Sequence, residues 1–166
     1  MIGAVTLTPD DVEIARTFGR LRSGINRGAG TKDAKIGPQD AVEADIDATG
    51  AEIATARCLG VEPDFTVRPR HGGADLTLEG MTIDVKHTRH KNGRLLAPQW
   101  KAKAPCDIYV LITGSLPNYV LRGFAFGFEF LVEENKRDLG YGPTFALDQA
   151  RLRSIQDLAA PQEAPR

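Results

Sequence analysis

Residues 73 to 87 combine residue types and spacing that could build a polar site on two paired strands. They read GADLTLEGMTIDVKH, and a two-residue turn at Glu79 and Gly80 would place Asp75 directly opposite Asp84. Alternation along both strands then gives an apolar face made of Ala74, Leu76, Leu78, Met81, Ile83 and Val85. The other face holds Asp75, Thr77, Thr82, Asp84 and Lys86.

The two opposed aspartates predict a site for a hard divalent cation. Directly opposed side chains have Cβ atoms about 4.5 to 5.5 Å apart, where like charges destabilise the pair unless a cation lies between them. Mg²⁺ binds one or two carboxylates and keeps waters that a substrate phosphate can displace. Lys86, on the same face, would hold an attacking water or offset charge on the phosphate. The alternative is a solvated face on which Lys86 bridges Asp75 and Asp84 without a metal.

The ordered set Glu52, Asp75 and Asp84-Val85-Lys86 resembles the PD-(D/E)XK nuclease superfamily. The pattern of that superfamily is a helical Glu, a strand Asp, and D/E-x-K on the neighbouring strand. Over residues 45 to 158, the segments TGAEIATARCLGV, GADLTLEGMTIDVK, APCDIYVLITG and YVLRGFAFGFEF are similar to small phage and prophage members.

The resemblance implies an α/β, restriction-endonuclease-like fold with an αβββαβ core, its mixed central sheet flanked by helices. It also implies phosphodiester hydrolysis that depends on Mg²⁺ or Mn²⁺. Asp75 and Asp84 would be metal ligands, the Val85 carbonyl a further ligand, Lys86 the catalytic lysine, and Glu52 a carboxylate near the metal or its water. Two departures are Ala74 in place of the proline of the superfamily name and an unusually basic linker after Lys86.

Glu52 has two interpretations. The segment TGAE at 49–52 fits a capping box, in which Glu52 bonds back to the Thr49 amide. We favour a role in the site, as a catalytic carboxylate that completes a second metal position. Asp47 or Asp45 is the substitute if the site uses another acid of this segment.

Charge is segregated along the chain although the net charge is −1. Residues 16–35 have six basic residues and one acid, residues 39–55 have five acids and no Lys or Arg, and residues 86–103 have six basic residues and no acid. We therefore expect basic side chains to contact DNA phosphates, with solubility as the alternative role. The candidates are Arg22, Arg27, Arg68, Arg70, Arg89, Lys91, Arg94, Lys101 and Lys103.

Hydrophobic periodicity and turn residues predict the elements that position these groups. We expect a helix over 9–21, a basic loop over 24–37, a second helix that ends at Leu59 with Gly60 as its stop, a short strand over 65–68, and the hairpin over 74–87. A strand buried on both faces should follow at 107–113, and a return strand at 118–126. Beyond Gly127, strand and helix compete; Asp148 then caps a terminal helix with Leu152, Ile155 and Leu158 on one face.

Other groups that could do chemistry have simpler interpretations. His71, His87, His90 and Cys106 match no familiar zinc spacing, and we expect surface or DNA-facing imidazoles. Both cysteines are expected to be buried rather than a redox pair. Trp100 could stack on a base or cover an edge of the core, and we favour the core.

The length of 166 residues predicts one domain, with an N-terminal helix and basic loop over 1–38 and a catalytic core over 39–160. The apolar runs are too short to span a bilayer, and no secretory signal is recognisable. We expect a cytoplasmic protein, in the host cytoplasm if it is viral, without membrane partners or an organic cofactor, and with a homodimer as one option.

We therefore expect a Mg²⁺-dependent deoxyribonuclease, in the first instance an endonuclease, that hydrolyses DNA by a metal-activated water. One alternative is a junction-resolving enzyme of the Holliday-junction type on the same fold, which needs a dimer. The other is a non-catalytic DNA-binding or assembly module.

Overall fold

A computed structural model describes residues 3–28, 40–65 and 73–159. The strands are β1 (Ala4–Thr6), β2 (Leu76–Leu78), β3 (Met81–Thr88), β4 (Leu95–Pro98), β5 (Ile108–Ser115), β6 (Asn118–Phe126), β7 (Lys136–Asp138) and β8 (Pro143–Leu147). The α-helices are α1 (Pro9–Gly28), α2 (Ala41–Leu59), α3 (Gly127–Phe130) and α4 (Ile155–Ala159). Within the described residues, no helix is long and apolar enough to cross a membrane.

The central sheet has five strands in the order β1-β6-β5-β3-β2. The β3–β5 pair is parallel, and the other three pairs in this sheet are antiparallel. This mixed sheet with helices confirms the predicted α/β class. A second, antiparallel sheet has the order β4-β8-β7 and was not expected from the sequence, because its strands are only three to five residues long.

The β2–β3 hairpin has the predicted two-residue turn. Glu79 and Gly80 have φ of 48° and 82°, as a turn that matches the twist of the strands requires. The register is also as predicted, with the pairs Leu76–Ile83, Thr77–Thr82 and Leu78–Met81. The ladder then stops, and the Asp75 amide donates to the Ile83 carbonyl at 2.9 Å. The predicted Asp75–Asp84 pair is therefore not part of the ladder.

The return strand β6 has the predicted bounds, and β5 is buried on both faces, as predicted. Ile108, Val110 and Ile112 belong to a first core that also includes the apolar face of α2. The alternate residues Tyr109 and Leu111 belong to a second core beneath β4 and β8. The hairpin's apolar face packs against the first core, except that Ala74 contacts the second.

Helix α2 begins earlier than a capping box at Thr49 would allow. Asp40 caps it by accepting from the Val42 and Glu43 amides at 2.8 and 3.3 Å. Thr49 lies inside the helix, where its hydroxyl donates to the Asp45 carbonyl at 2.8 Å, so the capping-box interpretation is wrong. The predicted stop at Gly60 is confirmed by its left-handed backbone, with φ of 68°.

Helix α1 continues to Gly28, seven residues beyond the predicted end at Leu21. The beginning of the expected basic loop is therefore helical. Close packing on α2 accompanies this extension: a Cβ atom added at Gly19 would lie 2.6 Å from the Ile46 Cα. Residues 29–37 of the expected loop lie outside the described residues.

The chain after Gly127 settles one alternative that the sequence left open and differs from a second prediction. Strand β6 gives way to the short helix α3, which resolves the competition between strand and helix. The expected terminal helix is divided into a 3-10 helix, Gln149–Arg151, and α4, because Arg153 exchanges two backbone hydrogen bonds with Phe124 at 2.8 and 3.0 Å. Ile155 and Leu158 therefore pack in the first core, whereas Leu152 packs against the second.

The predicted strand at 65–68 lies mostly outside the described residues, and Phe65 itself is in neither a helix nor a strand. The connection from β3 to the parallel β5 contains β4 and the 3-10 helix Gln99–Lys103. No α-helix occurs in this fully described connection, where the expected αβββαβ order has one.

Candidate active site

The acids and the lysine predicted from the sequence come together on three elements. Glu52 projects from α2, Asp75 precedes β2, and Asp84 and Lys86 lie on β3. Burial, followed by repulsion from Asp75, raises the pKa of Glu52 to about 8, and Asp84 acts in the same direction. Because repulsion of this kind requires proximity, these side chains form one electrostatic cluster.

Asp84 is the most enclosed member of this cluster. It is 3% exposed and lies between two ammonium groups. Lys86 Nζ is 2.9 Å from its Oδ1, and Lys101 Nζ is 2.6 Å from its Oδ2. Each carboxylate oxygen thus has its own cationic partner, as a buried charge requires.

Lys101 lies in a different place from the one that the sequence pattern predicted. It was expected to contact DNA, but it is 4% exposed and pairs with Asp84. The 3-10 helix in the connection from β3 to β5 carries it back to the sheet. No local sequence signal separates it from Lys103, which lies two residues further on between Ala102 and Ala104 and is exposed.

Asp75 is tied to the backbone of β3 rather than to the side chain of Asp84. Its Oδ2 accepts from the Val85 amide at 2.7 Å. Burial, followed by repulsion from Asp84, raises the pKa of Asp75 to about 6, although the Val85 amide, Lys86 and Lys101 oppose the shift. Asp75 is thus a carboxylate that is ionised at neutral pH, and an additional cation nearby would stabilise its charged form.

Arg22 joins the N-terminal helix to the site. It was expected to contact DNA, but its Nη1 lies 2.6 Å from Glu52 Oε2, and its Nη2 donates to the Asp64 carbonyl at 2.7 Å. Both partners of the ion pair are less than one-fifth exposed. Arg22 lowers the pKa of Glu52 without offsetting the effects of burial and Asp75.

The alternative acid Asp47 belongs to a different arrangement. It is 2% exposed, and it binds Arg89, whose Nε lies 2.6 Å from Asp47 Oδ2. Its other oxygen accepts from the Leu116 amide at 3.2 Å. Asp47 therefore joins α2 to the residue that follows β3 and to the β5–β6 turn, and Glu52 rather than Asp47 is the α2 acid that lies with Asp75 and Asp84.

The remaining basic candidates have different surroundings. Lys91 and Lys103 are exposed, and Arg94 pairs with Asp148 at 2.8 Å. Arg89 is about half exposed beyond its contact with Asp47. Arg68, Arg70 and the side chain of Arg27 lie outside the described residues. Lys91, Arg94 and Lys103 are therefore the described candidates that face solvent without contacting a buried acid.

Three of the four side chains that the sequence offers as zinc ligands, His87, His90 and Cys106, lie in the described part of the chain. His87 Nε2 lies 2.8 Å from the Gly114 carbonyl, and burial lowers the pKa of this imidazole. His90 is exposed, Cys106 is buried as expected, Cys58 is partly buried, and His71 lies outside the described residues. Across the described ranges, no group of three or more His, Cys, Asp or Glu side chains is arranged to hold a metal ion.

Trp100 is 48% exposed, so the expectation that it covers an edge of the core is wrong.

A cleft of about 300 Å³ opens next to Asp75. Its lining comprises Glu62, Pro63, Asp64, Ala74, Asp75, Leu76 and Thr77. The site is thus accessible from solvent at Asp75, whereas Asp84 and Lys101 form its buried base.

Comparison of the chain with protein-family models, with curated proteins and with solved structures found no match.

Proposed function

We propose that this chain is a Mg²⁺-dependent DNA endonuclease of the PD-(D/E)XK type. One observation carries the proposal: Glu52 of α2, Asp75 before β2, and Asp84 and Lys86 of β3 belong to one electrostatic cluster. Acids with raised pKa values that lie with a lysine beside a cleft are a typical arrangement of a catalytic site.

The residues fit a divalent cation by their chemistry. Burial, followed by repulsion from Asp84, raises the pKa of Asp75, and a bound Mg²⁺ would relieve that repulsion. Two carboxylates and a backbone carbonyl, here that of Val85, suit Mg²⁺, which keeps several waters when bound to proteins. When bound, the metal would lower the pKa of a water and polarise a phosphoryl oxygen.

The chain's own residues have distinct parts in this proposal. Lys86 is 26% exposed at its side chain, so its ammonium can reach a phosphate while it remains close to Asp84. Lys101 is enclosed and keeps the Asp84 carboxylate in a fixed orientation. Arg22 positions Glu52, whose pKa is raised to about 8 by burial and then by repulsion from Asp75.

The element order supports the same proposal in part. Helix α2 supplies the acid, the β2–β3 hairpin supplies the two aspartates and the lysine, and β5 lies parallel to β3. The connection between β3 and β5 departs from the implied core, since it supplies a second lysine from a 3-10 helix instead of forming an α-helix.

The test is a cleavage assay on supercoiled, linear, single-stranded and branched DNA, with and without Mg²⁺. We expect Mg²⁺-dependent cleavage that Asp84→Ala and Lys86→Ala each abolish. Asp138→Ala, an exposed acid on β7, is the matched control and should cleave like the wild type. Thermal unfolding of each variant shows whether it is folded, and undiminished cleavage by folded Asp84→Ala protein would disprove the proposal.

A second function is favoured by the two lysines at Asp84. Because both oxygens of Asp84 already have cationic partners, the fold could act as a non-catalytic DNA-binding module. Calorimetric titration with Mg²⁺ separates the two functions. Binding that Asp75→Asn weakens supports the nuclease, whereas no heat of binding supports the module.

A further inference from the structure

Trp100 is an exposed aromatic side chain at the edge of the candidate site. It is the one tryptophan in the chain and lies in the 3-10 helix Gln99–Lys103. The residue is 48% exposed, so a large part of the indole surface contacts solvent and does not pack in the core. An aromatic ring left in water at such a position is suited to a planar ligand.

Lys101 fixes the position of this ring relative to the acids. Its Nζ lies over the Trp100 ring, 5.1 Å from the centroid, and 2.6 Å from Asp84 Oδ2. A single ammonium group thus separates the indole from the most buried carboxylate of the site. A phosphate bound near Asp84 would have its neighbouring nucleotide within reach of Trp100.

The charge of the chain segment that carries the ring fits a polynucleotide strand. Residues 86–103 contain no acid, and Lys91, Arg94 and Lys103 face solvent in this segment. Basic side chains position the backbone of a bound strand, whereas an aromatic ring binds the face of a base. In a duplex both faces of each base are covered by its neighbours, so stacking on Trp100 requires an unpaired base.

We propose that Trp100 stacks on an unpaired base beside the bound phosphate, so that the preferred substrates are DNA strands with unpaired bases, such as single strands, flaps or frayed ends. This inference rests on the proposed function, since it assumes that the acid cluster acts on DNA. Stacking on one base contributes about 1 to 3 kcal/mol, which corresponds to a loss of about fivefold to more than a hundredfold in affinity when the ring is removed.

The experiment uses the fluorescence of the single tryptophan, which reports on this position alone. The full chain is titrated, without divalent ions, with a short single-stranded oligonucleotide and with an abasic strand of equal length and charge. We expect quenching by the first and little by the second. Equal quenching by both would overturn the inference, because the abasic strand retains every phosphate but has no base.

Variants give an independent measurement with a labelled oligonucleotide and anisotropy. Trp100→Ala should lose about tenfold or more in affinity for the single strand and less for a duplex, and Trp100→Phe should retain most of the affinity. Phe128→Ala removes another aromatic ring, which is 77% exposed, and serves as the control that binds like the wild type. Unchanged binding of the single strand by Trp100→Ala would also overturn the inference.

The cleavage assay keeps this inference distinct from the proposed function. If the wild type cleaves DNA and Trp100→Ala cleaves single strands equally well, the stacking role of Trp100 is rejected and the proposed nuclease activity is supported. Base-dependent quenching without cleavage by the wild type removes the nuclease and leaves Trp100 as part of a DNA-binding surface.

Discussion

Lys101 Nζ lies 2.6 Å from Asp84 Oδ2, and both side chains are only 5% exposed. The pair joins the connection between β3 and β5 to the centre of β3. Removing one member of a buried ion pair leaves the other charge without a partner in a poorly solvated position, which is costly. The stability of the protein and the orientation of Asp84 therefore depend on a lysine that is distant from the Asp84-Val85-Lys86 motif.

Replacing Lys101 with methionine should destabilise the protein by about 3 kcal/mol, because Asp84 would keep only Lys86 as a cationic partner. Lys103→Met, an exposed lysine of the same 3-10 helix, is the matched control and should change stability by less than about 0.5 kcal/mol. Urea denaturation measures both values. Equal stability of the two variants would show that the buried pair makes no net contribution.

The raised pKa of Glu52 predicts a specific pH dependence of stability without divalent ions. The folded protein keeps the Glu52 proton up to about pH 8, whereas the unfolded chain loses it near pH 4.5. Between these values the unfolded state binds fewer protons, so the free energy of unfolding falls as pH rises, by at most about 1.4 kcal/mol per pH unit.

Glu52→Gln removes this titration. The variant should therefore become more stable relative to the wild type as pH rises through the same interval. Asp75→Asn should show the same effect over a lower range, from pH 3.8 to about 6. Denaturant melts across this pH range in a chelating buffer measure both. Parallel curves for wild type and Glu52→Gln would contradict the assignment of a raised pKa to Glu52.

Gly19 and Gly24 in α1 should respond in opposite ways to replacement by alanine. A Cβ at Gly19 would lie 2.6 Å from Ile46 Cα and 3.0 Å from Ile46 N, so the helices must move apart, at a cost of about 1 to 3 kcal/mol. Gly24 has nothing within 4 Å of an added Cβ, and alanine there should stabilise the helix by about 0.5 to 1 kcal/mol. Thermal unfolding of the two variants measures both changes in stability. Unchanged stability of Gly19→Ala would contradict the close approach of α1 and α2.

DNA affinity should fall steeply with salt despite the net charge of −1, because the solvent-facing lysines are not those of the acid cluster. Lys91→Met and Lys103→Met should each reduce the slope of log affinity against log salt by about 1. Lys136→Met, on β7, pairs with Glu133 in the wild type and should leave the slope unchanged. Anisotropy at several salt concentrations gives the slopes, and an unaltered slope in all three variants would exclude Lys91 and Lys103 from phosphate contact.

The hairpin and the central strands were predictable because local chemistry determines them. A two-residue turn with glycine at its second position fixes the register of β2 and β3, and a run of apolar residues at 108–112 requires burial on both faces of β5. The second sheet was not predictable, because β4, β7 and β8 are short and gain their stability from pairing with partners distant in sequence. Helix α1 passes the predicted boundary for a related reason, since tertiary packing on α2 outweighs the weak helix propensity of its glycines.

By itself the sequence determined the order of Glu52, Asp75, Asp84 and Lys86 and predicted the strand that bears the last two. Only the tertiary structure decided which basic residues form ion pairs with these acids. Arg22 and Lys101 were indistinguishable in sequence from residues that face DNA, but folding buries them against Glu52 and Asp84. The physical reason is that a buried carboxylate requires a counter-charge, and which cation supplies it depends on long-range chain topology rather than on local pattern.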